Sequence, residues 1–176
     1  MIAAAALAAV MLTGCTDGSV MGGASAAQDS TDAVSGETIT GDGTKTPESY
    51  EKTFDGFVQY MTDNGFVSGE GEDLTAAAIG ADTGKRFKVS SGVSKHTVEL
   101  YEYTDQTSEA AVKTIANARA DGSFHLFEST ENMTKDTLAA VSEDGRFLML
   151  YTDSSENDGV TEAKQKAADA VKAFSK

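Results

Sequence analysis

Hydrophobic periodicity assigns this chain to the α+β class, with helices packed on an antiparallel sheet of about four strands in the order α-ββ-α-ββ-α. Three observations carry the assignment. An aromatic stripe with helical spacing runs from Tyr50 to Met61, two stretches near Arg86 and Asp144 switch to a period of two, and the last segment returns to helical spacing. Every periodic apolar segment of this kind lies in residues 47–176, so we expect a single domain there, preceded by a polar tract.

The first fourteen residues have another character. Ile2 to Leu12 is an uncharged apolar run, too short for a permanent membrane-spanning helix, which needs ~20 residues, but of the length of a signal-peptide core. It ends in Leu12-Thr13-Gly14-Cys15, where two small residues precede the chain's single cysteine. This stretch resembles the lipobox of bacterial lipoproteins, whose signal peptidase cleaves before a cysteine that already carries diacylglycerol. The resemblance implies that 1–14 is a signal peptide and that Cys15 is the site of lipid attachment. No Lys or Arg precedes the apolar run, so we expect the true start to lie upstream of Met1.

Residues 16–46 are mostly Gly, Ser, Thr, Ala and Asp, and such a stretch buries too little to fold. With Cys15 it makes a lipidated polar tether over 15–46. A tether of this length spans ~30 Å on average and ~100 Å when drawn out. The net charge is −14, and all fourteen Lys and Arg lie at Lys45 or beyond, so the stretch before Lys45 carries acidic charge alone and the domain is acidic on balance. Nucleic acid is thereby excluded as a partner, since it demands basic patches. Direct adhesion to anionic lipid is disfavoured for the same reason, which leaves the lipid anchor as the membrane contact. One cysteine permits no disulfide and no thiolate metal site, and export without disulfides fits a Gram-positive surface.

Within 47–176, Thr46-Pro47-Glu48 carries the features of a helix start: a capping hydroxyl, a proline suited to the first turn and an acid at the positive end of the dipole. Tyr50, Phe54, Phe57, Val58 and Met61 then mark one face of a helix that Asn64-Gly65 stops. Gly69, Gly71, Gly80 and Gly84 break the pattern, and Glu70, Glu72 and Asp73 form an acidic turn whose spacing does not match a twelve-residue calcium loop. Leu74–Ile79 is compatible with a short helix or a strand.

From Arg86 the chain alternates. Phe87 and Val89 on one run, a break at Ser91-Gly92, and a second run from His96 to Tyr103 predict an antiparallel hairpin. On the second run Val98 and Leu100 face one way, Tyr101 and Tyr103 the other. If helices cover only the first of these faces, Tyr101 and Tyr103 form a flat aromatic platform for a partner. If both faces are covered, the two rings are core.

Thr107-Ser108-Glu109 opens a second helix whose narrow stripe is largely alanine and which stops at Gly122. Phe124–Phe127 starts an extended segment. Asp144-Gly145 then separates the alternating runs Thr137–Ser142 and Arg146–Thr152 and predicts a second hairpin. Its returning strand is apolar on both faces, a mark of a central strand or one covered on both sides. Val160, Ala163, Ala167, Ala170, Val171 and Phe174 form the closing helix, with lysines toward its negative end. The two αββ units stand in tandem without residue identity between them.

The chemistry is sparse. His96 and His125 are isolated on strand-like segments, no Gly-x-Ser-x-Gly elbow is present, and no glycine-rich loop joins a strand to a helix. We therefore expect no catalysis, no metal and no cofactor. Asn132-Met133-Thr134 matches a glycosylation sequon, which has no bearing in a bacterial lipoprotein. A two-lobed solute receptor is excluded by length. Lipobox, polar tether and small α+β domain together look like small surface lipoproteins of Gram-positive bacteria. The sequence thus predicts a module that displays an open sheet face or hairpin edge to an envelope protein, peptide or glycan. An accessory subunit of an envelope complex and an unrecognised enzyme are the two other classes. Exposed paired aromatics would favour binding, a broad apolar patch a complex, and a polar pocket joining histidine to carboxylates an enzyme.

Overall fold

In the computed structural model, which describes residues 43–91, 94–122, 124, 137–153 and 158–175, alternation and helical periodicity resolve into one five-stranded antiparallel sheet with helices on both faces. The chain runs α1 (Phe54–Asp63), β1 (Glu72–Asp73), β2 (Thr83–Ser91), β3 (Ser94–Glu102), α2 (Glu109–Asp121), β4 (Thr137–Val141), β5 (Phe147–Asp153) and α3 (Asp158–Ala173). In space the strands lie in the order β1-β2-β3-β5-β4. The two predicted hairpins therefore sit side by side, joined through β3 and β5, with Val98 opposite Tyr151 and Leu100 opposite Met149.

The fifth strand is the acidic turn. Glu72 and Asp73 pair with Arg86 and Lys85 across the edge of β2, and Lys88 Nζ reaches Glu72 at 2.7 Å. A strand charged on both faces suits an edge, where nothing packs over it. Leu74–Ile79 becomes an irregular stretch ending in a 3₁₀ turn, Ala77–Ile79.

The first helix is shorter than the sequence predicts. Pro47–Ser49 forms a separate 3₁₀ turn, Tyr50 is extended, and α1 starts only after Thr53, whose hydroxyl accepts the Gly56 N–H at 3.1 Å. The reversal between them brings the Glu51 carbonyl so close to Gly56 that a Cβ there would collide with it. Glycine inside the first turn thus allows the chain to fold back. Phe57, Tyr60 and Met61 are the buried face of α1, and the stop at Asn64-Gly65 forms as expected, with Gly65 at φ 70°.

Sheet pairing divides the side chains between two cores. Phe87, Val89, Val98, Leu100, Phe147, Met149 and Tyr151 share one face and pack under α1 and α3. Phe174 closes this layer, its ring 5.2 Å from Phe57, 5.0 Å from Tyr60 and 5.1 Å from Phe147. Each such ring, fully buried, contributes about 1.5–3 kcal/mol. Tyr101, Tyr103, Leu148, Leu150, Ala139 and Val141 share the other face and pack under α2 and the 76–81 segment. Strand β5 is thus central and covered on both sides, as its two apolar faces require. Because α1 and α2 lie on opposite faces, no dyad through the antiparallel β3–β5 pair relates the two αββ units.

The predicted caps of α2 are present: Ser108 Oγ accepts the Ala111 N–H at 3.2 Å, and Gly122 ends the helix at φ 69°. In the second hairpin Gly145 N–H donates to Ser142 C=O, so Glu143 and Asp144 are the central turn residues and the glycine takes the fourth position. Asp144 Oδ1 accepts from Ser142 Oγ at 2.6 Å and from Arg146 N–H, which places it within the turn as a staple. Beyond Phe124, the extended segment expected over Phe124–Phe127 lies outside the described residues.

Candidate functional site: the groove at the edge of the fourth strand

Tyr101 and Tyr103 make no platform. They are 7% and 0% exposed, because α2 covers the face on which both lie. Gly84, paired with Tyr101, has no Cβ, and the ring lies across it. Its hydroxyl donates to Glu99 Oε2 at 2.8 Å, while Arg86 holds Glu99 Oε1 at 2.7 Å. Burial, with the Glu99 charge beside it, pushes the Tyr101 phenol far above its ordinary range. Tyr103 is pushed up likewise by burial and donates to the Ile79 carbonyl. Both rings are core, and the alanine-rich α2 explains why: small side chains bring the helix close to the sheet.

His96 is buried on the opposite face, its ring 6.0 Å from that of Tyr151. Cys15, His125 and the Asn132 sequon lie outside the described residues. Among the described residues no group of three or more His, Cys, Asp or Glu could hold a metal ion, and no helix is long and apolar enough to cross a membrane.

The open surface is polar at one end of the α2 face. Lys88, Thr97, Thr152 and Thr137 fall in one row across four strands, and the Thr137 and Thr152 hydroxyls share a hydrogen bond of 2.9 Å. The Lys88 ammonium holds the Glu72 carboxyl below its usual range. Lys88 is thus paired with Glu72, and Thr137 with Thr152.

The edge of β4 differs. Ser142 N–H donates to Phe147 C=O, and in the β4–β5 register this makes Ala140–Met149 and Leu138–Tyr151 the hydrogen-bonded pairs. Thr137, Ala139 and Val141 consequently direct their main-chain groups outward, away from β5. Ala139 N–H is met by the Gly122 carbonyl at 2.7 Å. The Ala139 carbonyl and both main-chain groups of Val141 have no other main-chain partner among the described residues.

These groups floor a groove of ≈ 470 Å³. One wall is the C-terminal end of α2, with Ala118, Arg119 and Asp121; the other is α3, with Gln165, Ala168 and Lys172. Arg119 Nη2 donates to the Glu143 carbonyl at 2.8 Å, and Gln106 Nε2 to that of Asp144, so the hairpin turn is pinned against α2 and the groove keeps its shape. Geometrically this is an edge strand set between two helices, with Ala139 and Val141 themselves buried at the floor of the groove. The sequence carries its signature in Thr137-Leu138-Ala139-Ala140-Val141, which has no Lys, Pro or other charge to guard an edge.

By fold and site the chain is an α+β domain whose antiparallel sheet offers one uncharged edge. No protein-family model, curated protein or solved structure matches it.

Proposed function

We propose that this protein is a lipid-anchored extracytoplasmic binding module of the bacterial cell envelope, non-catalytic, held on a polar tether and engaging an envelope protein or peptide through its domain. The observation that carries the binding role is the groove between the C-terminal end of α2 and α3, floored by the uncharged edge of β4. The anchor rests on the apolar run and on Leu12-Thr13-Gly14-Cys15. Among the described residues Val112 is the one exposed large apolar side chain, so those residues present no broad apolar patch of the kind an obligate complex buries. His96 lies in the core rather than in the groove, which favours recognition over acid–base chemistry.

Two measurements test this. Two acyl chains suffice for stable membrane attachment, so Cys15→Ser is expected to release the protein from the membrane fraction. An unmodified Cys15 in that fraction, or a serine variant that stays bound, overturns the anchor. A photo-crosslinking residue at position 165, in the groove, is expected to give a discrete adduct on intact cells, whereas one at the exposed position 59 on α1 gives none. Adducts from both positions would instead mark a subunit packed inside a larger complex.

A further inference from the structure

We propose that Asn64 is a modification site: when the entry strap, residues 43–53, lifts from the end of α1, the Gly65 main-chain nitrogen attacks the Asn64 amide, and the product keeps the strap from closing again. Asn64-Gly65 is the one Asn-Gly pair in the 176 residues. Glycine after asparagine leaves this attack least hindered, because no Cβ stands beside the nucleophile. Water is the only co-reactant. The Gly65 nitrogen gives its proton to solvent and bonds to Asn64 Cγ, the Cγ–Nδ2 bond breaks, and ammonia leaves. Water then opens the succinimide to aspartate or isoaspartate.

In the closed fold every participant is held. Gly65 N–H donates to the Thr62 carbonyl at 2.8 Å, which keeps the nucleophile protonated and turned away. Asn64 is 1% exposed, and its amide is fixed at both atoms, Oδ1 accepting from Lys45 N–H at 2.8 Å and Nδ2 donating to the Tyr60 carbonyl at 2.9 Å. A donor on one side and an acceptor on the other allow the amide a single orientation. The bonds to Tyr60 and Thr62 belong to the last turn of α1. The bond to Lys45 comes from the strap, and it is the one that can let go.

The strap is lightly held. Only Pro47, Tyr50 and Lys52 in it are partly buried, and its other residues are exposed. Tyr50 donates its hydroxyl to Asp63 at 2.9 Å and sets its ring against Tyr60, while Lys52 lies over Phe174. A cleft of ≈ 380 Å³ runs between Lys45, Thr46 and Pro47 on the strap and Asp169 and Ala170 on α3. A segment with so few buried contacts opens by itself, at a lower free energy than global unfolding.

Conversion cannot be accommodated where the amide was. In aspartate a carboxylate oxygen replaces Nδ2 against the Tyr60 carbonyl, so two acceptors face each other and a charge enters a buried position next to Asp63. Isoaspartate adds a main-chain methylene and displaces the side chain. Either product drives residue 64 outward and breaks the contact with Lys45. Residues 43–52 then join the polar tract before them, adding about 35 Å of reach at full extension.

The test uses the full chain carrying Cys15→Ser, aged at neutral pH, with peptide mass spectrometry reading the fraction of Asn64 converted. The chain unfolded in urea is expected to convert at least about tenfold faster than the folded chain. Lys45→Pro deletes the N–H that holds Oδ1 and leaves the bonds of α1 in place. It should convert about fivefold faster than the folded parent, the factor of one main-chain hydrogen bond, with little change in thermal unfolding. Asn64→Asp makes the product directly, and its amides over 45–52 should exchange with deuterium at least about tenfold faster than the parent's.

If either variant fails to fold, the aged folded sample decides the matter, because within it the molecules converted at Asn64 should be those with rapidly exchanging strap amides. The proposal is overturned if the folded parent converts as fast as the unfolded chain, or if a folded Lys45→Pro converts at the parent's rate. It is equally overturned if Asn64→Asp, or the converted molecules of the aged sample, keep the strap amides protected.

Discussion

At the scale of single residues the sharpest consequence of the fold is the burial of Tyr101 and Tyr103. Alternation placed both rings on one face of a strand, but a strand's own pattern does not say whether a helix covers that face; the covering helix is 109–121, whose alanine stripe carries little apolar weight in sequence. Replacing each tyrosine by alanine is expected to cost about 3–5 kcal/mol, as for core aromatics, where a surface platform would lose within about 0.5 kcal/mol. Thermal unfolding of Tyr101→Ala and Tyr103→Ala checks this. The same burial predicts an alkaline limit. Both phenols are raised above 10 in the folded chain, chiefly by desolvation, and titrate near 10 once unfolded. Their contribution to stability is therefore complete below pH ~10 and is lost as pH rises above it. A tyrosinate absorbance titration followed alongside circular dichroism should show these two phenols ionising only together with unfolding. Tyrosinate from both in a chain that remains folded would contradict the packing.

Elements with local chemistry were the most legible part of the sequence. Ser108 and Gly122 bound α2 as their residue types require, and Ser108→Ala is expected to cost about 1 kcal/mol in urea unfolding, with little change in the slope. What escaped was decided by contacts distant in sequence or by close backbone approach. The helix expected from Thr46 breaks because the Glu51 carbonyl folds back on Gly56, and Gly56→Ala should cost more than the helix preference of alanine returns, since its Cβ meets backbone. A stability gain in Gly56→Ala would mean that the reversal is not needed. The strand at Glu72–Asp73 was hidden because its partner, β2, supplies the cations that make two acids acceptable in a sheet. The β4 edge was foreshadowed only as a hairpin edge of unspecified chemistry. Its outward register depends on the Ser142–Phe147 bond and on Gly122, neither visible in the spacing of apolar residues.

For the whole molecule, the two ends of the domain close the same layer. Lys45 N–H donates to Asn64 Oδ1 at 2.8 Å, and Asn64 Nδ2 donates in turn to the Tyr60 carbonyl, so the segment entering from the tether is fastened to the end of α1. Tyr50 packs edge-on against Tyr60 at 5.3 Å, and Lys52 Nζ lies 4.0 Å over the Phe174 ring while donating to the Pro47 carbonyl. Phe174 is thus enclosed by the first and last segments of the domain. Two truncations separate the roles of these ends. A chain beginning at Lys45 keeps every contact just named, and it is expected to fold alone and to unfold as the longer chain does. Limited proteolysis of the longer chain should accordingly cut before Pro47 and leave the rest intact. Ending the same chain at Ala173 removes Phe174, and with it a cost of about 3–5 kcal/mol against a typical total of about 5–15 kcal/mol. The shortened chain should therefore melt far below the Lys45–Lys176 form or fail to fold. Equal melting of the two would show that the Phe174 ring is not the closure of the layer, and strong protection of Asp17–Thr44 from protease would show that the tether belongs to the fold.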